Sequence, residues 1–79
     1  MDKKKPSYSK QLEGFSNDGI KKIMGDIKTL NDDIKIQVRD IYAGPRKQKL
    51  IMVYYPVNLN IKEPDQAIDA IIELARNIK

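Results

Sequence analysis

The side chains that most often act as general bases, nucleophiles or metal ligands are scarce in this chain. Its 79 residues include no histidine and no cysteine. Carboxylates remain as candidates, because oxygen ligands suit magnesium and a bound magnesium ion can assist phosphodiester cleavage. The carboxylates considered are Asp26, Asp32, Asp33 and Asp40. Their spacing matches no known catalytic motif, so we predict no enzyme, no catalytic residues, no metal site and no cofactor.

Positive charge is more informative, because it is concentrated in two short segments. Residues 1–10 carry four lysines and one aspartate, a net charge of +3, and residues 44–49 add another +3. The whole chain has a formal net charge of only +4, so the remaining residues sum to −2. The positive field is therefore expected to be local rather than spread over the surface.

Nucleic acid is the partner that such segments favour. Lysine and arginine neutralise backbone phosphates and release counterions, and an adjacent tyrosine can stack on an exposed base. We predict nucleic-acid binding, with DNA favoured over RNA. The predicted contact residues are Lys3, Lys4, Lys5, Tyr42, Arg46, Lys47 and Lys49. The alternatives are an ordinary solvated turn whose lysines discourage aggregation and a solubilising terminus.

The length of the chain predicts a single small domain with a thin core. Without cysteine or histidine, neither disulfides nor a structural zinc site can support the fold, which leaves oligomerisation. The longest apolar run, residues 50–57, is far shorter than the roughly 20 residues needed to span a bilayer. The lysines near the start are followed by no apolar segment of the signal-peptide type. We therefore predict a cytoplasmic protein with no membrane partner.

The first predicted helix follows Ser16 or Asn17, either of which suits an N-cap position. Its apolar residues recur with helical spacing, and Asn31, Asp32 and Asp33 are predicted to end it. We expect Gly25 to mark a close approach of the helix to a sheet. The apolar face consists of Ile20, Ile23, Met24, Ile27 and Leu30.

A β-hairpin is predicted after this helix. Ile34, Ile36 and Val38 alternate with polar residues, as in a half-buried strand. The alternation slips at Arg39 and Asp40, which predicts a bulge there. Residues 43–45 read Ala-Gly-Pro, a turn signal, and residues 50–55 form a second strand that is apolar on both faces. The basic residues 44–49 would then project as a ribbon at the hairpin tip.

The last predicted helix begins near Pro64, because proline is well tolerated in the first helical turn. Its apolar stripe consists of Ala67, Ile68, Ile71, Ile72, Ala75 and Ile78. Asp65, Asp69 and Glu73 recur every four residues and form an acidic stripe. Such a stripe is either a solvated face or a site for a basic partner or a neighbouring subunit.

The predicted fold is an α+β domain with the order helix, strand, strand, helix (αββα), in which residues 1–15 form a flexible basic tail and residues 16–79 form the domain. One apolar face of a two-stranded sheet would lack cover, so we expect a homodimer that completes the sheet. The primary function predicted is that of a small nucleic-acid-binding regulator or accessory factor. The alternative is a non-enzymatic protein-interaction module, an inhibitor or adaptor, which docks through the apolar strand face and the acidic stripe.

Overall fold

The computed structural model describes residues 5–78 and contains two helices and a three-stranded antiparallel sheet. The elements in chain order are β1 (Tyr8–Leu12), α1 (Asn17–Leu30), β2 (Lys35–Ala43), β3 (Arg46–Tyr54) and α2 (Pro64–Ala75). The strand order in the sheet is β1-β3-β2. The predicted α+β class is confirmed. Neither helix in residues 5–78 has the length and apolar character needed to cross a membrane.

The element order is βαββα, so the predicted order αββα was incomplete. Strand β1 lies within residues 1–15, which the sequence suggested to be a flexible tail. It pairs with β3 from Tyr8 opposite Val53 to Leu12 opposite Lys49. The apolar pattern of β1 is weak, because Lys10 lies between Tyr8 and Leu12, the only two apolar residues on its inner face. Pairing with a strand about forty positions further along the chain, which a local pattern cannot reveal, holds it in place.

The third strand comes from the same chain, so a second copy is not needed to complete the sheet. Strand β3 is the central strand of the sheet, between β1 and β2. Ile51 and Val53 point to the inner face and are fully buried with the helices. Leu50, Met52 and Tyr54 point to the other face, which neither helix covers.

The core lies between the inner face of the sheet and the two helices. Both predicted helical stripes supply residues to it, which confirms the two amphipathic patterns. The core residues with no measurable exposure are Ile23, Ile27, Ile34, Ile51, Val53, Ile68 and Ile72. Leu12 of β1 is also buried, and this contact ties the first strand to the helices.

Helix α1 begins as predicted, with Ser16 as its N-cap. The Ser16 hydroxyl accepts a hydrogen bond from the Gly19 backbone N–H at 3.0 Å and donates to the Ile78 carbonyl at 3.0 Å. The cap therefore also links the start of α1 to the segment after α2. Gly25, expected at a close approach, faces open space, whereas a Cβ on Gly19 would lie 3.2 Å from the Ala75 carbonyl oxygen. Gly19, rather than Gly25, is thus the glycine at a close approach between the helices.

Alanine substitutions at these two glycines are expected to have opposite effects. Gly25→Ala should raise the free energy of unfolding by about 1 kcal/mol, because alanine favours the helix and meets no neighbour. Gly19→Ala should lower it by about 1 kcal/mol, because the added methyl crowds α2. Urea unfolding followed by circular dichroism measures both. Equal stabilisation by the two variants would contradict the tight contact at Gly19.

The hairpin of β2 and β3 has an unbroken register from Lys35 opposite Tyr54 to Ala43 opposite Arg46. The bulge predicted at Arg39 and Asp40 is therefore wrong. Asp40 lies on the inner side directly opposite Lys49, and its carboxylate is 2.5 Å from the Lys49 ammonium group. The ion pair with Lys49, rather than a bulge, accommodates Asp40 at a position where the alternation predicts an apolar residue.

The turn at the hairpin tip consists of Gly44 and Pro45. Gly44 has a φ of +66°, and proline excludes a positive φ at the next position. A positive φ at the first central residue alone is typical of a type II′ turn, whose twist matches that of the flanking strands. The turn is therefore compatible with the unbroken register and the normal right-handed twist of the hairpin.

Candidate nucleic-acid interface

The tip of the hairpin projects past the rest of the sheet. Strand β1 ends where Leu12 pairs with Lys49, so residues 46–48 and their partners at 41–43 have no third strand beside them. Three residues at about 3.3 Å each extend this ribbon by about 10 Å. Tyr42, opposite Lys47, is 75% exposed. We call residues 40–49 the basic ribbon.

Each predicted cation of the basic ribbon has a carboxylate partner. Arg46 lies 3.0 Å from Glu13, and Lys47 and Lys49 lie 3.4 and 2.5 Å from the two carboxylate oxygens of Asp40. Three cations and two carboxylates leave a local charge of +1, smaller than the +3 that residues 44–49 carry alone. Sequence patterns did not reveal this pairing, because Glu13 lies 33 positions from Arg46.

The ion pairs are nonetheless open to water. The side chains of Arg46, Lys47 and Lys49 are 75, 56 and 35% exposed. Exposed pairs of this kind typically contribute between about 0 and 1 kcal/mol, so exchange for another anion costs little. A hydrogen bond from Lys49, aided by Lys47, holds the pKa of Asp40 below its usual range. Asp40 is therefore ionised at neutral pH and competes with any anion for both lysines.

Lys5, the described member of the predicted lysine contacts in the N-terminal tail, lies at the other end of the sheet. Lys5 is exposed and precedes β1, whose first residue pairs with Val53, whereas Arg46 is the first residue of β3 and lies at the tip of the ribbon. Val53 and Arg46 are seven residues apart on β3, a distance of about 23 Å along the strand. Lys5 and the ribbon therefore do not meet at one end of the molecule. Lys3 and Lys4 lie outside the described residues.

The acidic stripe of α2 bonds within the chain. The Tyr8 hydroxyl donates to Asp69, whose carboxylate is also 3.8 Å from Lys10. The Tyr55 hydroxyl donates to Asp65 at 2.5 Å. The third member, Glu73, pairs with Arg76 at 2.8 Å. The stripe therefore has partners within the chain, whereas its sequence predicted either a solvated face or a site for another molecule.

These tyrosines predict a loss of stability in alkali. Burial and the hydrogen bonds to Asp69 and Asp65 raise the pKa of Tyr8 and of Tyr55 above the ordinary value of 10.0. Their contribution is complete below pH 10.0 and is lost as the pH rises toward the folded-state pKa. We expect denaturant unfolding to show this fall, and a Tyr8→Phe, Tyr55→Phe variant to show a flatter dependence. Identical alkaline profiles would contradict the coupling.

Two cations, Lys35 and Arg39, were not among the predicted contact residues, because their pattern is that of the polar side of an amphipathic strand. Both lie on the outer face of β2, opposite Tyr54 and Leu50 of the central strand. Neither has an ion-pair partner within residues 5–78. Their period-two spacing at positions 35, 37 and 39 was the available signal. The signal does not tell which face the helices cover. Only the folded core, which contains Ile51 and Val53 but neither Leu50 nor Tyr54, shows that the helices pack on the other side of the sheet.

Residues 5–78 contain no group of three or more side chains able to hold a metal ion. An open groove of about 450 Å³ lies between α1 and β2, lined by Met24, Gly25, Lys28, Lys35, Ile36 and Gln37. Its lining contains two lysines and no carboxylate. Comparisons with protein-family models, curated proteins and solved structures found no match to this chain.

Proposed function

We propose that this chain is a small nucleic-acid-binding protein, a regulator or accessory factor, whose basic ribbon contacts the phosphate backbone. The observation that carries the proposal is the projection of the ribbon beyond β1 with Arg46, Lys47 and Tyr42 exposed. A two-stranded ribbon fits the major groove of DNA, and its cations reach phosphates on either side. DNA is the preferred partner in this proposal.

In this proposal, the binding of nucleic acid replaces the carboxylates paired with the ribbon cations by phosphates. A phosphate takes the place of Glu13 at Arg46 or of Asp40 at the two lysines, and these carboxylates become solvated. Because both carboxylates are already exposed, their release costs little. The residual charge of the ribbon is small, so the proposal predicts moderate affinity that is sensitive to salt.

The proposal is tested by titrating labelled duplex DNA, single-stranded DNA and RNA at two salt concentrations. An Arg46→Ala, Lys47→Ala, Lys49→Ala variant is expected to lose most of the affinity, and its slope of log affinity against log salt should fall by up to about 2.7 for a duplex. A Lys21→Ala, Lys28→Ala, Lys62→Ala variant makes the same charge change away from the ribbon. If the two variants bind equally well, the ribbon is not the contact surface.

The alternative, a protein-interaction module, has less support in this fold. Its acidic stripe is bonded to Tyr8, Tyr55, Lys10 and Arg76 of the same chain. Its apolar strand face divides into an inner side that the helices cover and an outer side flanked by polar residues. The expected homodimer remains a proposal, which light scattering with and without nucleic acid tests.

A further inference from the structure

The outer face of the sheet has three parallel lanes with different chemistry. On β2, nearest one edge, lie Lys35, Gln37 and Arg39. Beside them on β3 lie Leu50, Met52 and Tyr54, which we call the apolar lane. They share the face with the cations, because residues directly opposite each other point to the same side of a sheet. On β1 the partners of Met52 and Leu50 are Ser9 and Gln11. Cations, apolar groups and hydrogen-bonding groups thus follow one another across the open sheet.

The cations of this face are spaced along one direction. Lys35 and Arg39 are four residues apart, about 13 Å along the strand. Arg46 continues the row, since it lies opposite Ala43, four residues beyond Arg39, and it shares the outer face with Glu13. Glu13 is the only acidic side chain on this face among the described residues. The row is therefore complementary to an extended polyanion that follows the strands.

The apolar lane provides a platform beside that row. The Tyr54 hydroxyl is 3.9 Å from the Met52 sulfur, so the tyrosine ring lies along the strand rather than standing away from it. Met52 is only 8% exposed, and the Tyr54 side chain is one of the groups that cover it. The Tyr54 ring therefore provides an aromatic group at the surface of the sheet, and a base can stack on such a ring.

An unpaired acceptor lies on the same face. The Oε1 atom of Gln48 is buried and has no hydrogen-bond partner within residues 5–78. Gln48 is on β3 and points to the same side as Leu50 and Met52. A donor from a bound molecule, such as a base amino group, would satisfy it after a small side-chain rotation.

We infer that the outer face of the sheet binds single-stranded nucleic acid, with phosphates along Lys35, Arg39 and Arg46 and bases over Tyr54 and the apolar lane. The inference rests on the proposed function and adds to the ribbon a second surface that contacts unpaired strands. A duplex keeps its bases stacked and would leave the platform without a contact, whereas an unpaired strand fills both lanes at once. Single-stranded DNA and single-stranded RNA both carry the phosphates and bases that this face would contact, so the test includes both.

The test compares labelled oligothymidylate, oligouridylate and a DNA duplex of equal length with the full chain. Tyr54→Leu should weaken single-strand binding by roughly tenfold and leave duplex binding unchanged, because one stacked base is lost. Lys35→Ala, Arg39→Ala should lower the single-strand salt slope by about 1.4. Tyr54→Phe, which keeps the ring, should bind like the native chain. Lys21→Ala, Lys62→Ala removes the same charge from outside the face and should also bind normally.

Several outcomes would overturn the inference. If Lys47→Ala, Lys49→Ala abolishes single-strand binding while the Tyr54 and Lys35, Arg39 variants bind normally, the ribbon alone binds and only the proposed function survives. If no nucleic acid binds at low salt, both fail. Amide chemical-shift mapping of the native chain with oligothymidylate guards against a misfolded variant. Shifts confined to the ribbon, with none at residues 35–39 and 50–54, would also exclude the sheet face.

Discussion

Replacement of Ile51 by alanine is expected to remove much of the stability of this protein. Ile51 has 0% exposure and lies on the inner face of the central strand, between Lys10 of β1 and Val38 of β2. Truncation of a buried isoleucine costs about 2–5 kcal/mol, through lost burial and the cavity left behind. A domain of this size has only about 4–12 kcal/mol in total. Urea unfolding should therefore show a midpoint shifted to much lower denaturant.

Leu50 provides a matched control on the same strand. It is half-buried on the outer face, where no helix packs, so Leu50→Ala should cost about 1 kcal/mol. The comparison separates burial beneath the helices from strand propensity, since both variants place alanine in the centre of β3. If Leu50→Ala destabilises the protein as much as Ile51→Ala, then the outer face is covered in solution, and a dimer through that face becomes the explanation.

Removal of the two carboxylates that pair with the ribbon is expected to strengthen nucleic-acid binding. Glu13→Gln and Asp40→Asn together would raise the local charge of the ribbon from +1 to +3 and leave Arg46, Lys47 and Lys49 without competitors. We expect a gain in affinity on the order of tenfold at low salt, and a steeper salt dependence, as the number of phosphate contacts rises. Electrophoretic shift or anisotropy titrations measure both quantities.

The matched control changes the same charge on the helical layer. Asp18→Asn, Glu63→Gln also adds +2, but neither residue lies on the ribbon or the sheet. An equal gain from this control would show that net charge alone governs binding. A gain only from the Glu13 and Asp40 variant would locate the contact at the ribbon. No gain from either would mean that the ribbon does not bind nucleic acid, whatever its exposure.

The ion pairs of the ribbon change how the charge pattern should be interpreted. The sequence places three cations within residues 44–49, which suggests a strong local field. In the fold, the unbroken register brings Asp40 opposite Lys49, and the end of β1 brings Glu13 to Arg46. Two of the cations that form no ion pair within residues 5–78, Lys35 and Arg39, lie instead on the outer face of the sheet. That face therefore carries positive charge that no carboxylate of the described residues neutralises.

The sequence by itself determined the elements whose signals are local. Helical periodicity identified α1 and α2, the Ser16 side chain capped the first helix, and Pro64 marked the start of the second. Alternation and the Gly44-Pro45 turn identified the hairpin. These signals depend on neighbours within a few positions, where backbone geometry and burial of one face act together.

Only the tertiary structure decided the order of the strands, the open face and the partners of the charges. Strand β1 depends on pairing with β3, and the bonds from Tyr8 to Asp69 and from Arg46 to Glu13 join residues 61 and 33 positions apart. Periodicity within one segment carries no information about which distant segment lies beside it. For the same reason, the predicted ribbon was found in place, whereas its neutralising carboxylates and the cationic sheet face became visible only after the chain was folded.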